Sequence, residues 1–300
     1  MRELLALTLS ALLCAAAVTA RQQTAAKKAA ADDVAARFKS QVETISAGED
    51  TAARRAALEK RISGIQHNYG TFLFKHGERE GANVVVHLPR AAGMTKTLLL
   101  GAHYDRVARG RGAVDNASGC AAVLELLAAF KARPLRNYSV GAVFFDYEEA
   151  GLVGSKAFVA SDGVDGVRVV PDVFVNFDVF GYGDTLYAMS PKDDAPLARA
   201  FRQAAADAKF PLVVSATYPP SDHLSFLGTR AEVASVSIVG GEEIAPLTQL
   251  LRGERPAAVP RALSTIHTGA DTPDKIDAAA AARALAVVER ALRLLDSPQP

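Results

Sequence analysis

The chain is poor in cysteine. Only Cys14 and Cys120 occur in 300 residues, and Cys14 lies inside an N-terminal apolar run that reads as removable. With Cys120 alone, no intramolecular disulfide can form, and a zinc site built of several thiolates is excluded. A surplus of charge is also missing: 34 Lys plus Arg stand against 33 Asp plus Glu, a formal net charge of +1 at pH 7. Nothing there would neutralise a phosphate backbone, so a nucleic-acid partner has no electrostatic support. Internal repeats and long low-complexity linkers are absent, and the hydrophobic content of 49% reads as a single α/β core with at most a small appendage. The apolar run, Leu4 to Val18, is short for a bilayer. With Arg2 before it and Val18-Thr19-Ala20 after it, residues 1–20 fit a secretory signal peptide, an uncleaved anchor being the alternative. Ala11-Leu12-Leu13 before Cys14 are not the small residues a lipid attachment wants. Export without disulfides suits a bacterial periplasm or the exterior, with no stable membrane association once the signal is cut.

Residues 21–63 carry apolar positions at Val34, Phe38, Val42 and Ile45, spaced by three and four. That spacing predicts an amphipathic helical segment packed on a larger body, with Gln22 to Ala31 as a frayed leader. Five short apolar runs come next: 83–88, 97–101, 140–145, 173–177 and 233–239. They are continuous rather than alternating in hydrophobicity, which marks strands covered on both faces. Helical stretches at 117–131, 152–160, 195–208 and 275–295 lie between and after them. This alternation predicts an α/β fold, a three-layer α/β/α sandwich around a mostly parallel mixed sheet, in one domain. Residues 89–96, 219–220 and 253–260 read as turns or loops.

In open α/β sheets the ligand site lies beyond the carboxyl ends of the strands. His103-Tyr104-Asp105 follows the second apolar run, Asp146-Tyr147-Glu148-Glu149 the third, and Asp178 the fourth. Asp115 opens the first long helix, and His267 precedes the last. Taken singly, each has an ordinary explanation: a satisfied buried histidine, an N-cap, a solvated pair of glutamates. Only Asp178, a carboxylate directly after an apolar strand, demands a partner. Together, His103, Asp115, Glu149, Asp178 and His267 converge on one edge of the sheet. Imidazole and carboxylate donors of that kind suit zinc, with manganese or cobalt as substitutes.

His103-Tyr104-Asp105, Asp115-Asn116-Ala117-Ser118-Gly119, the run Glu148 to Ser155, Asn176-Phe177-Asp178 and the run His267 to Thr272 resemble the motifs of the co-catalytic di-zinc exopeptidases. That family includes bacterial leucine-type aminopeptidases, glutamate carboxypeptidases and glutaminyl cyclases. Ser221 to Phe226 resembles a further family motif in a substrate-side loop. The resemblance implies two Zn²⁺ per chain and peptide substrates, within a zinc exopeptidase domain over residues 21–297. It further implies that Asp115 bridges the ions, that His103 and Asp178 complete one and Glu149 and His267 the other, and that Glu148 is the general base. The Asp115–Asn116 peptide is expected to be cis. Asp105, two residues from His103, can fix its tautomer by accepting the other imidazole N–H.

In one place the chain departs from the pattern. Several aminopeptidases of this kind place a Tyr beside the last histidine to hydrogen-bond the developing oxyanion; here Ile266 stands there. Tyr218 is the preferred replacement, Tyr182 the other candidate, with polarisation by the metal alone as a further option. A cyclase-like transferase or an inactive binding domain should lack a ligand or Glu148, and this chain has all of them. The direction of attack stays open between N- and C-terminal cleavage. Arg106, Arg109 and Arg111 follow His103 and could hold a substrate carboxylate, whereas Glu148 and Asp178 could hold an ammonium.

Overall fold

The computed structural model describes residues 28–161 and 170–297 together with Ala25; the expected signal peptide lies outside the described residues. Eight strands form in chain order: β1 (Tyr69–His76), β2 (Arg79–His87), β3 (Lys96–His103), β4 (Tyr138–Phe145), β5 (Val173–Phe177), β6 (Thr185–Met189), β7 (Leu212–Ser215) and β8 (Glu232–Val239). They pair into one sheet in the order β1-β2-β4-β3-β5-β8-β6-β7. The middle four, β4-β3-β5-β8, run parallel. Antiparallel pairing occurs between β1 and β2, β2 and β4, and β6 and β8. The five apolar runs are β2 to β5 and β8, and the sheet is the mixed, centrally parallel one expected.

Both faces of the central strands are buried. Val84, Val86, Leu98, Leu100, Phe144 and Val175 point into the larger layer. There they meet helices α1 (28–46), α2 (Thr51–Ile65), α3 (Ser118–Ala132), α5 (Pro196–Ala208) and α8 (Ala278–Asp296). Their neighbours Val85, Leu99, Val143 and Phe145 face the other way, against Phe158 of α4 (Val153–Ala160) and against Phe226. Side chains alternate across a strand, so continuous hydrophobicity is the pattern a doubly covered strand requires. Helices α6 (Ile244–Leu251) and α7 (Arg261–Thr265) close the carboxyl edge over Tyr182, Tyr187 and Val239. The stretch Ala113–Ala132 has the length and apolarity of a membrane span, but 89% of its apolar window is buried inside the molecule. It contains α3, a core helix of the sandwich.

The N-terminal segment differs from the single helix its periodicity suggests. Helix α1 stops at residue 46, and α2 begins afresh after Asp50, whose carboxylate accepts from Ala53 N at 2.7 Å as an N-cap. Gly48 lies in the break. A Cβ there would stand 2.6 Å from Arg54 N and 2.7 Å from Arg54 Cγ, so only glycine lets the second helix fold back so closely.

Candidate metal centre

Chain connections leave β3 in opposite directions, through α3 to β4 on one side and then from β4 past β3 to β5 on the other. Such a reversal opens a crevice at the strands' carboxyl ends. His103 is the last residue of β3, Asp178 follows β5, and Glu148 and Glu149 follow β4. Asp115 lies where the chain enters α3, and its peptide bond to Asn116 is cis, as the resemblance implied. His267 follows α7. Tyr147, Val179 and His267 all have φ between +54° and +58°, a region side chains rarely adopt, and every one of them is a candidate donor or lies within two residues of one. Such outliers gather where a site needs a side chain aimed against local preference.

The five residues converge. Asp115 lies between the two histidines, its Oδ1 3.1 Å from His103 Nε2 and its Oδ2 3.0 Å from His267 Nε2. Asp178 Oδ1 is 3.6 Å from His103 Nε2, and Glu149 Oε2 is 3.0 Å from His267 Nε2. Two groups, His103-Asp115-Asp178 and Asp115-Glu149-His267, have donor atoms close enough to hold one cation each and share Asp115. His103 Nε2, Glu149 Oε1 and Asp178 Oδ1 are buried with no hydrogen-bond partner. Unpartnered buried polar atoms are costly, and a cation among them would supply the missing partner. The donor set fits zinc.

Electrostatics lead to the same conclusion. Burial disfavours a charge on His103, but Glu148, Asp105, Asp115 and Asp178 around it hold its pKa well above the ordinary value. A hydrogen bond to Asp115 raises His267 to about 9. Despite burial, those two imidazoles keep the Asp115 carboxyl well below the usual range. Burial, helped by Asp178, Asp222 and Asp115, pushes Glu148 up to about 9, and burial with Asp115 lifts Glu149 to about 7. Carboxylates crowded this closely favour a cation or protons among them, which is the electrostatic setting of a metal site.

Supporting groups surround the ligands. Asp105 Oδ1 lies 3.3 Å from His103 Nδ1, and its two oxygens also accept the backbone N–H groups of Glu148 and Glu149, both at 3.1 Å. One carboxylate therefore sits against the His103 ring at the end of β3 and holds the turn after β4. Asp271, whose role the sequence did not reveal, accepts from Val114 N at 2.6 Å and Asp115 N at 3.2 Å. Asn116 donates to Phe177 O at 2.8 Å and accepts from Gly119 N at 2.9 Å, tying the start of α3 to the end of β5.

A cavity of about 130 Å³ adjoins the ligands, with Glu148 and Tyr218 in its wall and Tyr187, Val239, Leu247, Leu263 and Ile266 making it largely apolar. The Tyr218 hydroxyl is shared with Ser237 Oγ, which in turn donates to Asp178 O. Tyr182 is not in that wall; its hydroxyl donates to Glu243 Oε1 at 2.9 Å. Asp222 and His223 are buried beneath, and Tyr218 to Pro220 form the part of that loop that reaches the cavity. A larger hollow of about 600 Å³ lies at the opposite, amino-terminal ends of β3 and β4, away from all the ligands. Volume alone would have pointed to the wrong end of the sheet.

The three arginines after His103 stay out of the cavity wall. Arg106 Nη2 donates to Glu49 O at 2.5 Å, and its Nη1 donates to Val107 O and Gly110 O. Arg111 Nε donates to Ser46 O at 3.0 Å, and Arg109 is exposed.

A sequence model of peptidase family M28 matches residues 83–292. The chain belongs to that family. The probable lipoprotein aminopeptidase LpqL of Mycobacterium tuberculosis is 34% identical over 98 residues, 33% of this chain and 19% of that protein. The chain thus matches about a fifth of that curated relative's length. Among solved structures, the zinc aminopeptidase BSAP of Bacillus subtilis is 23% identical with a TM-score of 0.58, over 72% of this chain and 50% of that one. Glutaminyl cyclase of Porphyromonas gingivalis is 18% identical with a TM-score of 0.66, over 86% of this chain and 97% of that one. At those identities the two structures establish the shared fold. The family and its α/β sandwich agree with the motifs that run in order from His103 to Thr272, all within the matched stretch.

Proposed function

We propose that this M28 member is an exported aminopeptidase that uses two zinc ions to cleave the N-terminal peptide bond of peptides. The observation that carries the direction is the composition of the cavity. Asp115, Glu148, Glu149 and Asp178 line it, and no Lys or Arg among the described residues does. With three of those carboxylates assigned to the ions, Glu148 remains as a counter-charge for a substrate ammonium, whereas no Lys or Arg is there to hold a substrate carboxylate away from the ions, which counts against the carboxypeptidase reading. The apolar wall suits an aliphatic or aromatic first side chain. With all five donors and Glu148 present, neither a cyclase-like transferase nor an inactive binding domain gains support.

In this reading His103, Asp115 and Asp178 hold one zinc, and Asp115, Glu149 and His267 the other. Bound zinc supplies Lewis acidity, polarising the scissile carbonyl and lowering the pKa of water toward about 7. Glu148 is a neighbour of the ligands that need not ligate. Its carboxylate takes a proton from the attacking water and returns it to the departing amine. A dication among its neighbours lowers its pKa from the raised value of the bare chain, so it is a base at neutral pH. Asp105 holds the His103 ring and both glutamate amides, so the base and two ligands keep one geometry. Tyr218 is the phenol proposed to stabilise the oxyanion, sharing or exchanging its Ser237 partner as the substrate enters. The apolar run over residues 4–18 supports export to the periplasm or beyond.

The test compares one peptide with a free amine, the same peptide N-acetylated, and the same peptide C-amidated. A charge-assisted contact is worth about 1.5–3 kcal/mol, so acetylation should slow cleavage at least roughly tenfold while amidation changes it little. Faster cleavage of the acetylated peptide would overturn the direction and leave the zinc reading intact.

A further inference from the structure

Arg54 lies on α2, before the stretch that family M28 covers. It is completely buried, and its guanidinium is satisfied by backbone carbonyls. Nε donates to Tyr104 O at 2.6 Å, Nη1 to Arg111 O at 2.9 Å and Nη2 to Gly112 O at 3.1 Å. A buried guanidinium costs several kcal/mol of desolvation, on the order of what a helix could gain from an apolar residue there. Docking α2 does not require it, since Leu58 and Ile62 already bury that face. Its three acceptors lie at the two ends of one loop. Tyr104 follows the ligand His103, and Gly112 is three residues before the shared ligand Asp115. Residues 104–112 between them belong to no helix or strand, so the loop has no ladder of its own to set the distance between those ligands.

We infer that Arg54 is a positioning residue of the metal centre, its planar fork fixing both ends of the loop that joins His103 to Asp115. The inference rests on the two-zinc reading. Other groups serve the same stretch: Arg106 and Arg111 tie it to the end of α1 and the turn after it, and Cys120 Sγ donates to His103 O at 3.1 Å. The N-terminal helices are thus a clamp on the site. Lysine can replace the charge but not the fork, because an ammonium cannot reach three carbonyls in one plane.

Zinc binding to wild type, Arg54→Lys and Leu58→Ala, each purified zinc-free, is measured by competition with a chelating dye, and thermal midpoints are recorded with and without zinc. Removing a group that orients metal ligands costs about 10–100-fold in metal affinity, and Arg54→Lys is expected in that range for at least one ion. Its midpoint should fall further in the zinc-loaded form than in the zinc-free form, because the loss is in the metal linkage. Leu58→Ala, which loosens the same helix without touching the loop, should lower both midpoints alike and bind zinc within about threefold of wild type, well short of the loss expected from an orienting group. Wild-type affinity in Arg54→Lys, or an equal loss in Leu58→Ala, would overturn the inference and leave the two-zinc reading standing. Should Arg54→Lys not fold, Gly48→Ala crowds the arginine stem while keeping its charge; weakened zinc binding supports the inference, and unchanged binding overturns it. A wild-type protein that takes up no zinc overturns the two-zinc reading itself.

Discussion

Asp115 presents one carboxylate oxygen to each histidine, and its own backbone N–H is held by Asp271. A carboxylate in that position is aimed from behind as well as from the side. Asp271→Asn replaces one of two accepting oxygens by a donor facing the N–H groups of Val114 and Asp115. It is expected to weaken zinc binding about 10–100-fold with little change in the fold, checked by chelator competition and circular dichroism. Glu148 separates from its neighbour Glu149 by role. Glu148→Gln should keep zinc content near wild type and lower turnover by about 10²–10⁴-fold; metal analysis beside kinetics decides it, and retention of most activity would remove Glu148 from the mechanism. Tyr218→Phe leaves the ring in the cavity wall and removes only the hydroxyl. A loss in kcat approaching the about 10²–10³-fold of a lost oxyanion donor, with KM unchanged, would mark it as one. Of these residues, Glu148 and the five candidate donors were legible because each stands just after a strand, or opens or precedes a helix. Asp271 stood in a recognised motif without a visible role, since its partners lie 156 and 157 positions away.

At the level of elements, the start of α3 is pressed against the end of β5. A Cβ on Gly119 would meet Asn116 Oδ1 at 2.3 Å and Phe177 O at 2.4 Å. The second is backbone and cannot move aside cheaply. Gly119→Ala is therefore expected to cost about 1–3 kcal/mol in urea unfolding and to weaken zinc binding, because the helix that Asp115 leads into must back away from the strand that Asp178 follows. The central strands and helices α3, α4, α5 and α8 could be read from hydrophobicity, to within a few residues, because burial leaves long apolar runs; the short helices α6 and α7 were not read. Strands β1, β6 and β7 could not. Leu73 in β1 is 56% exposed and its neighbours are mixed, while β6 and β7 have five and four residues. Pairing partners, not their own pattern, make those segments strands. The break between α1 and α2 was equally hidden, since the apolar spacing of α1 ends at Ile45 without marking a turn or a second helix.

For the whole molecule, any metal bound at the proposed centre must displace protons from its donors. A hydrogen bond to Asp115 raises His267 to about 9, and burial raises Glu149 to about 7. Below those values each group carries a proton and cannot ligate. Zinc affinity should therefore fall as pH drops from about 9 through 7, and binding should release protons into solution. Calorimetry at one pH in buffers of different ionisation enthalpy measures that release, and a buffer-independent heat would refute it. Chelation should abolish peptide cleavage and lower the thermal midpoint, because a ligand bound only by the native state stabilises it by mass action.

Read alone, the sequence determined the class of fold, and it named the order of the candidate metal donors and a candidate base. Those depend on local relations: which residues stand just beyond each apolar strand, and which residue types can hold a cation. The tertiary structure alone decided which charged side chains face the cavity. Arg106, Arg109 and Arg111 sit close to a ligand in the chain, yet two of them turn to the carbonyls of Glu49 and Ser46. It also decided how the centre is held, through Arg54 and Asp271, whose partners are 50 to 157 positions distant. Sequence neighbours share a loop whichever way their side chains turn. The direction of a long flexible side chain is set by the nearest unsatisfied acceptors, and those exist only after distant helices have packed.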